Sequence, residues 1–242
     1  MKRRILLVVF FLVSVLFLGC GKKSPPLTIS ESTPSSPKLK ASATEVGILL
    51  EIELPKRNKA GYTLYSLKKV IIQKKCGENE ETIEVLPKCH PFARILTYLD
   101  SEVESGECCE YRVSVEKNMF VRSPFSKWKR VCWHAPLLPP KNLSIQVIKD
   151  LGILRLTWIP VKVDVYNSTI TTNLLFLLEE LSSNASKKVI LKKPQFQTEI
   201  PKKLKCYRVK SLFYYENTLI PGFFTPIVCV NQTGALSPQN TK

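Results

Sequence analysis

Two stretches of the chain copy one another, and this repeat narrows the possible folds more than any other feature. Residues 109–133 read CEYRVSVEKNMFVRSPFSKWKRVCW and residues 206–230 read CYRVKSLFYYENTLIPGFFTPIVCV. Each carries Tyr-Arg-Val near its start and Val-Cys near its end, and in each the two cysteines stand 23 residues apart. A proline-rich joint, HAPLLPPKN at 134–142, lies between the copies. The simplest account is one module folded twice in tandem. Around the copies run short segments rich in β-branched and aromatic residues, such as EVGILLEIELP, KKVIIQKKC, RILTYLD, NLSIQVI, LRLTWIPV and KKVILKK, separated by Pro, Asn, Ser and Gly. This pattern reads as antiparallel strands in a sandwich. TTNLLFLLEEL at 171–181 has helical composition, but its place between two strand segments favours a buried strand.

The residues that surround the repeat resemble a known module. LDSEVESGECCEYRVSVEKNMFVRSPFSK is similar to the end of a fibronectin type III domain, and PPKNLSIQVIKDLGILRLTWIPV to its beginning, with Trp158 as the core tryptophan. The first copy has no Trp at the matching place in LLEIELP. The resemblance implies an all-β chain of two tandem antiparallel β-sandwiches, fibronectin type III or immunoglobulin-like, over 38–135 and 136–235. It also implies that the last two strands of each sandwich form a hairpin across which cysteines can face, which pairs Cys109 with Cys132 and Cys206 with Cys229. Strand parity keeps Cys108 open as the alternative partner in the first copy. Cys76 and Cys89 flank what reads as a hairpin and are candidates for a third bridge.

The N-terminus adds an export signal. Lys2, Arg3 and Arg4 precede an apolar run from Ile5 to Leu18, too short for a bilayer span of ~20 residues and suited to a signal peptide. Gly19-Cys20 after this run resembles the lipobox of bacterial lipoproteins, although Phe17 stands where that family usually has Leu. The resemblance implies cleavage after residue 19, acylation of Cys20 and a membrane anchor through the N-terminal lipid. It also places the chain in the cell envelope, on the periplasmic face of an outer membrane. Residues 20–37, rich in Lys, Ser, Pro and Thr, read as a flexible tether that would reach roughly 50 Å when extended, and 236–242 as a disordered tail.

The formal charge of +16 falls to +13 once Lys2, Arg3 and Arg4 leave with the signal peptide. Export excludes nucleic acid as the partner, so the charge suits an anionic membrane face or an acidic polysaccharide. The same export puts the cysteines where disulfides persist. Two histidines and three aspartates (Asp100, Asp150 and Asp164), with no phosphate loop and no nucleophile elbow, supply no assembled catalytic set. Neither a cofactor nor a metal is expected. CH at 89–90 and CWH at 132–134 lack the paired cysteine spacing of a zinc site, and His90 and His134 read as solvated loop residues.

What remains is a binding, adhesion or scaffold role toward an unidentified envelope protein or polysaccharide. Its contacts would come from aromatic residues in the loops that join the last two strands of each copy: Phe120, Trp128, Tyr214, Tyr215 and Phe223. The four sequons at Asn142, Asn167, Asn184 and Asn231 fit a different reading, a secreted receptor ectodomain resembling cytokine receptors.

Overall fold

In the computed structural model, residues 28–87, 94–183, 185–231 and 234–236 are described. The chain enters through a helical turn, α1 (Ile29–Ser32), closed by a capping box between Thr28 and Glu31. The strands of the first sandwich follow: β1 (Lys38–Thr44), β2 (Gly47–Glu53), β3 (Lys69–Cys76), β4 (Asn79–Val85), β5 (Ile95–Asp100), β6 (Cys108–Asn118), β7 (Val121–Arg122) and β8 (Lys129–Cys132). One sheet has the order β1-β2-β5; the other has the order β4-β3-β6, with β7 and β8 as successive pieces of a last strand on β6. The second sandwich repeats this plan with β9 (Lys141–Ile148), β10 (Ile153–Ile159), β11 (Leu175–Ser182), β12 (Ala185–Leu191), β13 (Gln195–Glu199), β14 (Lys205–Tyr215), β15 (Thr218–Phe224), β16 (Val228–Asn231) and β17 (Gly234–Leu236). Its sheets are β9-β10-β13 and β12-β11-β14, and both β15 and β16 pair with β14. LLFLLEEL at 174–181 is thus largely strand.

Strand periodicity places the cores. In β2 the buried Ile48, Leu50 and Ile52 alternate with more exposed neighbours, and they meet Val70, Ile72, Tyr111, Val113 and Val115 of the opposite sheet in one buried cluster. In the second core Leu154, Leu156 and Trp158 of β10 meet Phe176, Leu178, Tyr207 and Val209. Ile52 and Trp158 are the sixth residues of their strands, so isoleucine fills in the first sandwich the place that tryptophan fills in the second.

The last strand is split in each sandwich by a proline, which has no N–H to give to a ladder. Hydroxyl groups beside the break take over: Ser123 and Ser126 accept from the Val115 and Val113 amides, and Thr225 accepts from the Val209 amide.

Two expectations are corrected here. The tether does not run to residue 37. Its second half is docked on the first sandwich, where the Ser35 amide donates to Arg57 O, the Lys59 amide to Thr33 O and the Ala60 amide to Glu31 O. Backbone groups that find partners in the long β2–β3 connection are held, whatever the local composition. Nor is YYENTLIPGFF a free loop. Glu216 and Asn217, both at positive φ, make a tight turn that pairs β14 with β15 as a hairpin. That hairpin lies against the first sandwich. Phe213 and Ile220 belong to the buried cluster of the first sandwich, together with Leu137 of the joint. Across the seam Thr218 Oγ1 accepts from the Cys132 amide, Tyr215 Oη donates to Gly106 O, and the Phe223 amide donates to Leu137 O.

Candidate functional site

The seam leaves a cleft of about 510 Å³ between the two sandwiches. The first sandwich contributes Glu45 and Val46 from the β1–β2 turn, Ser101, Val103, Glu104 and Ser105 from the β5–β6 loop, and Trp133. From beyond it come Pro136, Val165, Tyr166 and Phe223.

Each wall is fixed by local chemistry. Gly47 lies at φ +143°, and a Cβ there would stand 2.2 Å from Asp100 O, so only glycine lets the β1–β2 turn close on the end of β5. The buried Asp100 carboxylate accepts from Tyr111 Oη at 2.6 Å, lies 2.8 Å from Lys74 Nζ, and takes the Glu102 amide, which ties down the β5–β6 loop. Trp133 Nε1 donates to Thr44 O, and Ser105 Oγ accepts from the Ala135 amide. On the other side Asp164 Oδ1 accepts from the amides of Tyr166 and Ser168, and Asn167 sits at positive φ. This is an Asx turn, and it holds Tyr166 outward.

The result is a concave surface with exposed apolar groups: Val46 at 57%, Tyr166 at 66% and Phe223 at 38% of full exposure. Glu45 is paired with Lys210 Nζ at 2.7 Å, and Glu104 lies on the rim. The lining thus sets apolar side chains beside the carboxylates of Glu45 and Glu104 and the hydroxyls of Ser101 and Ser105.

Of the aromatic residues expected to bind, the structure brings only Phe223 into this cleft. Tyr215 is half-buried, its ring tilted against that of His134 at 5.2 Å between centroids. His134 also meets Phe213 edge-on at 5.4 Å, so it is a seam residue and not a solvated imidazole. Tyr214 is exposed on β14. The ring of Trp128 is covered by the Arg112 guanidinium at 4.3 Å, which also lies 4.5 Å from Phe125. Phe120 sits at the β6–β7 turn, at the far end of the first sandwich. Sequence reading missed Val46, Val165 and Tyr166. The available signal was Asp-Val-Tyr-Asn-Ser at 164–168, an Asx motif carrying a large side chain at a loop tip.

The cysteines form three bridges, each between residues directly opposed on neighbouring strands: Cys76–Cys109, Cys108–Cys132 and Cys206–Cys229. The pairing of Cys109 with Cys132 is therefore corrected. The β6–β8 register sets Cys108 against Cys132, while Cys109 meets Cys76 of β3 on the other side. Cys76 is consequently not bonded to Cys89, which lies outside the described residues, as do Cys20, His90 and Asn184. Cys76, Glu107 and Cys109 cluster closely enough to suggest a metal set, but both sulfurs are committed to the disulfide. Among the described residues no helix is long and apolar enough to cross a membrane.

No family model matches the chain, and no curated protein matches it. Among solved structures it is similar to the FN1–FN3 domains of chicken CNTN1, at 13% identity and TM-score 0.49 over 82% of this chain and 68% of that one. The strand order carries the fold assignment. Three-stranded β1-β2-β5 and β9-β10-β13 sheets, each facing a sheet that contains a split strand, make the chain a tandem of fibronectin type III-like sandwiches.

Proposed function

We propose that the chain is a lipid-anchored, non-catalytic binding or scaffold module of the cell envelope, fastened through acyl chains on Cys20 and offering the cleft to an apolar group of a protein partner. The observation that carries the binding role is the exposure of Val46, Tyr166 and Phe223 in a concavity whose two walls are locked together by the seam. Apolar side chains in a preformed pocket are the anchors around which interfaces concentrate their affinity. Tethering then raises the local concentration of the module near its partner. With Cys20 acylated and Glu31 the first residue that the sandwich holds, the chain between them reaches at most about 40 Å, which keeps the first sandwich near the membrane. Outer-membrane placement on the periplasmic face follows from the same lipobox reading.

Two measurements separate the parts. Metabolic labelling with a fatty-acid analogue marks the wild-type chain and leaves Cys20→Ser unmarked; equal labelling of both ends the anchor claim. Crosslinking in intact envelopes yields an adduct that Val46→Asp with Tyr166→Ala abolishes, whereas Ile190→Ser, on an exposed strand of the second sandwich, leaves it unchanged. An adduct indifferent to the cleft variant removes the cleft from the reading.

A further inference from the structure

The end of the first sandwich remote from the second has a composition unlike the rest of the molecule. Its register defines it: Glu53 of β2 pairs with Ile95 of β5, and Lys69 of β3 pairs with Glu116 of β6, so 28–37, the β2–β3 connection, the segment after β4 and the β6–β7 turn gather at one pole. The joint leaves from the opposite pole, where Trp133 meets Thr44. At the remote pole the large apolar side chains point into solvent: Tyr65 at 90%, Phe120 at 82%, and also Ile29, Tyr62, Leu86 and Met119.

The charges there are one-sided. Residues 28–38, 53–69, 84–87, 94–95 and 116–122 hold nine Lys and Arg against four Glu. All four carboxylates are engaged. Glu31 caps its own helical turn, Glu53 meets Lys38, Glu84 meets Lys69, and the buried Glu116 meets Lys68, Lys69 and Arg122. Among the described residues Lys56, Arg57, Lys59 and Lys117 have no carboxylate within 4 Å.

We propose that this pole is a membrane-contacting face: Lys56, Arg57, Lys59 and Lys117 engage anionic phospholipid headgroups while Tyr62, Tyr65, Met119 and Phe120 enter the interfacial layer. Tyrosines and phenylalanine interleaved with cations on convex loop tips suit the headgroup zone, where rings lie at the boundary and positive charge meets phosphate. A protein partner would be met better by the concave cleft at the other pole. The segment that ends at Thr28 also leaves from this pole, eight residues after Cys20. That last point alone rests on the acylation proposed above; the face itself does not.

The test uses the full chain with vesicles of phosphatidylglycerol or phosphatidylcholine carrying brominated acyl chains, and a tryptophan reporter introduced as Phe120→Trp or, for comparison, Ile190→Trp. Signals are taken as differences from the wild-type chain with its three native tryptophans. The reporter at 120 is quenched on phosphatidylglycerol and less so on phosphatidylcholine; the reporter at 190 is not quenched. Lys56→Ala, Arg57→Ala and Lys59→Ala together lower the ratio of docked to undocked molecules by roughly a hundredfold, about fivefold per cation. The proposal is overturned by an unquenched reporter at 120, by equal quenching at both positions, by indifference to the triple variant, or by quenching that appears only when envelope proteins are added. Flotation in ~1 M salt, where surface attraction is screened, reads the acyl anchor by itself. A chain that floats there but is unquenched at position 120 in low salt loses the face and keeps the anchor, and a chain that fails to float but is quenched at 120 in low salt does the reverse.

Discussion

The two tyrosines of the repeated Tyr-Arg-Val share a place in the fold and differ in what their hydroxyls find. Tyr111 donates to Asp100, which is itself held by Lys74. In the second sandwich the residue that pairs with the tyrosine on the neighbouring strand is Glu180 instead of Lys74, and Thr198 stands where Asp100 stands. Glu180 turns instead to Lys205. The Tyr207 hydroxyl is left buried without a hydrogen-bond partner, and its burial pushes its pKa up to about 12. Tyr111→Phe should therefore cost roughly 1–3 kcal/mol, because Asp100 loses a donor in a buried site, while Tyr207→Phe is neutral or slightly stabilising. Denaturant midpoints of the two variants check this; equal losses would contradict it. The repeat made both tyrosines legible as core residues in the sequence. The inequality was not legible, since it depends on residues of two other strands whose register the local pattern does not reveal.

At the scale of strands, the cysteine spacing located the hairpins and misassigned one bond. In the second copy Cys206 directly precedes the tyrosine, whereas the first copy has two adjacent cysteines there, of which only Cys108 faces Cys132 across the register. The 23-residue spacing shared by the two copies pointed instead to Cys109, the residue that β3 claims. A non-reduced tryptic digest should release one three-chain species joining the peptides that hold Cys76, Cys108 with Cys109, and Cys132. A two-chain species of Cys109 and Cys132 with free Cys76 would refute the connectivity. Closing loops of 23, 24 and 33 residues, each bridge contributes roughly 3–4 kcal/mol through the unfolded chain. Among the strands that escaped the pattern are two of seven residues. KLKASAT of β1 has too few large apolar residues to announce itself, and β15 hides behind the Glu-Asn and Pro-Gly pairs that read as loop.

For the whole molecule, tandem sandwiches were legible from the repeat, but the cleft was not, because it exists only where two modules meet. The proline-rich joint looked like a linker, yet Ala135, Pro136, Leu137 and Pro140 are buried, and Leu137 is fully inaccessible. Leu137→Ala should cost about 2–5 kcal/mol and expose residues 134–142 to limited proteolysis well before either sandwich is cut. Cleavage kinetics identical to the wild-type chain would show that the joint is not part of the shared core. Gly222 adds a second lock, because a Cβ there would stand 2.9 Å from Leu137 O.

The hairpin of β14 and β15, lodged in the first sandwich's buried cluster, bears on how the chain carries load. Tension passed from one module to the other must cross this seam, so its several hydrogen bonds and the buried Phe213 share the load. Resistance of this kind is set by the rate of rupture and not by equilibrium stability. The molecule should therefore behave under tension as one stiff strut, yielding first at its middle.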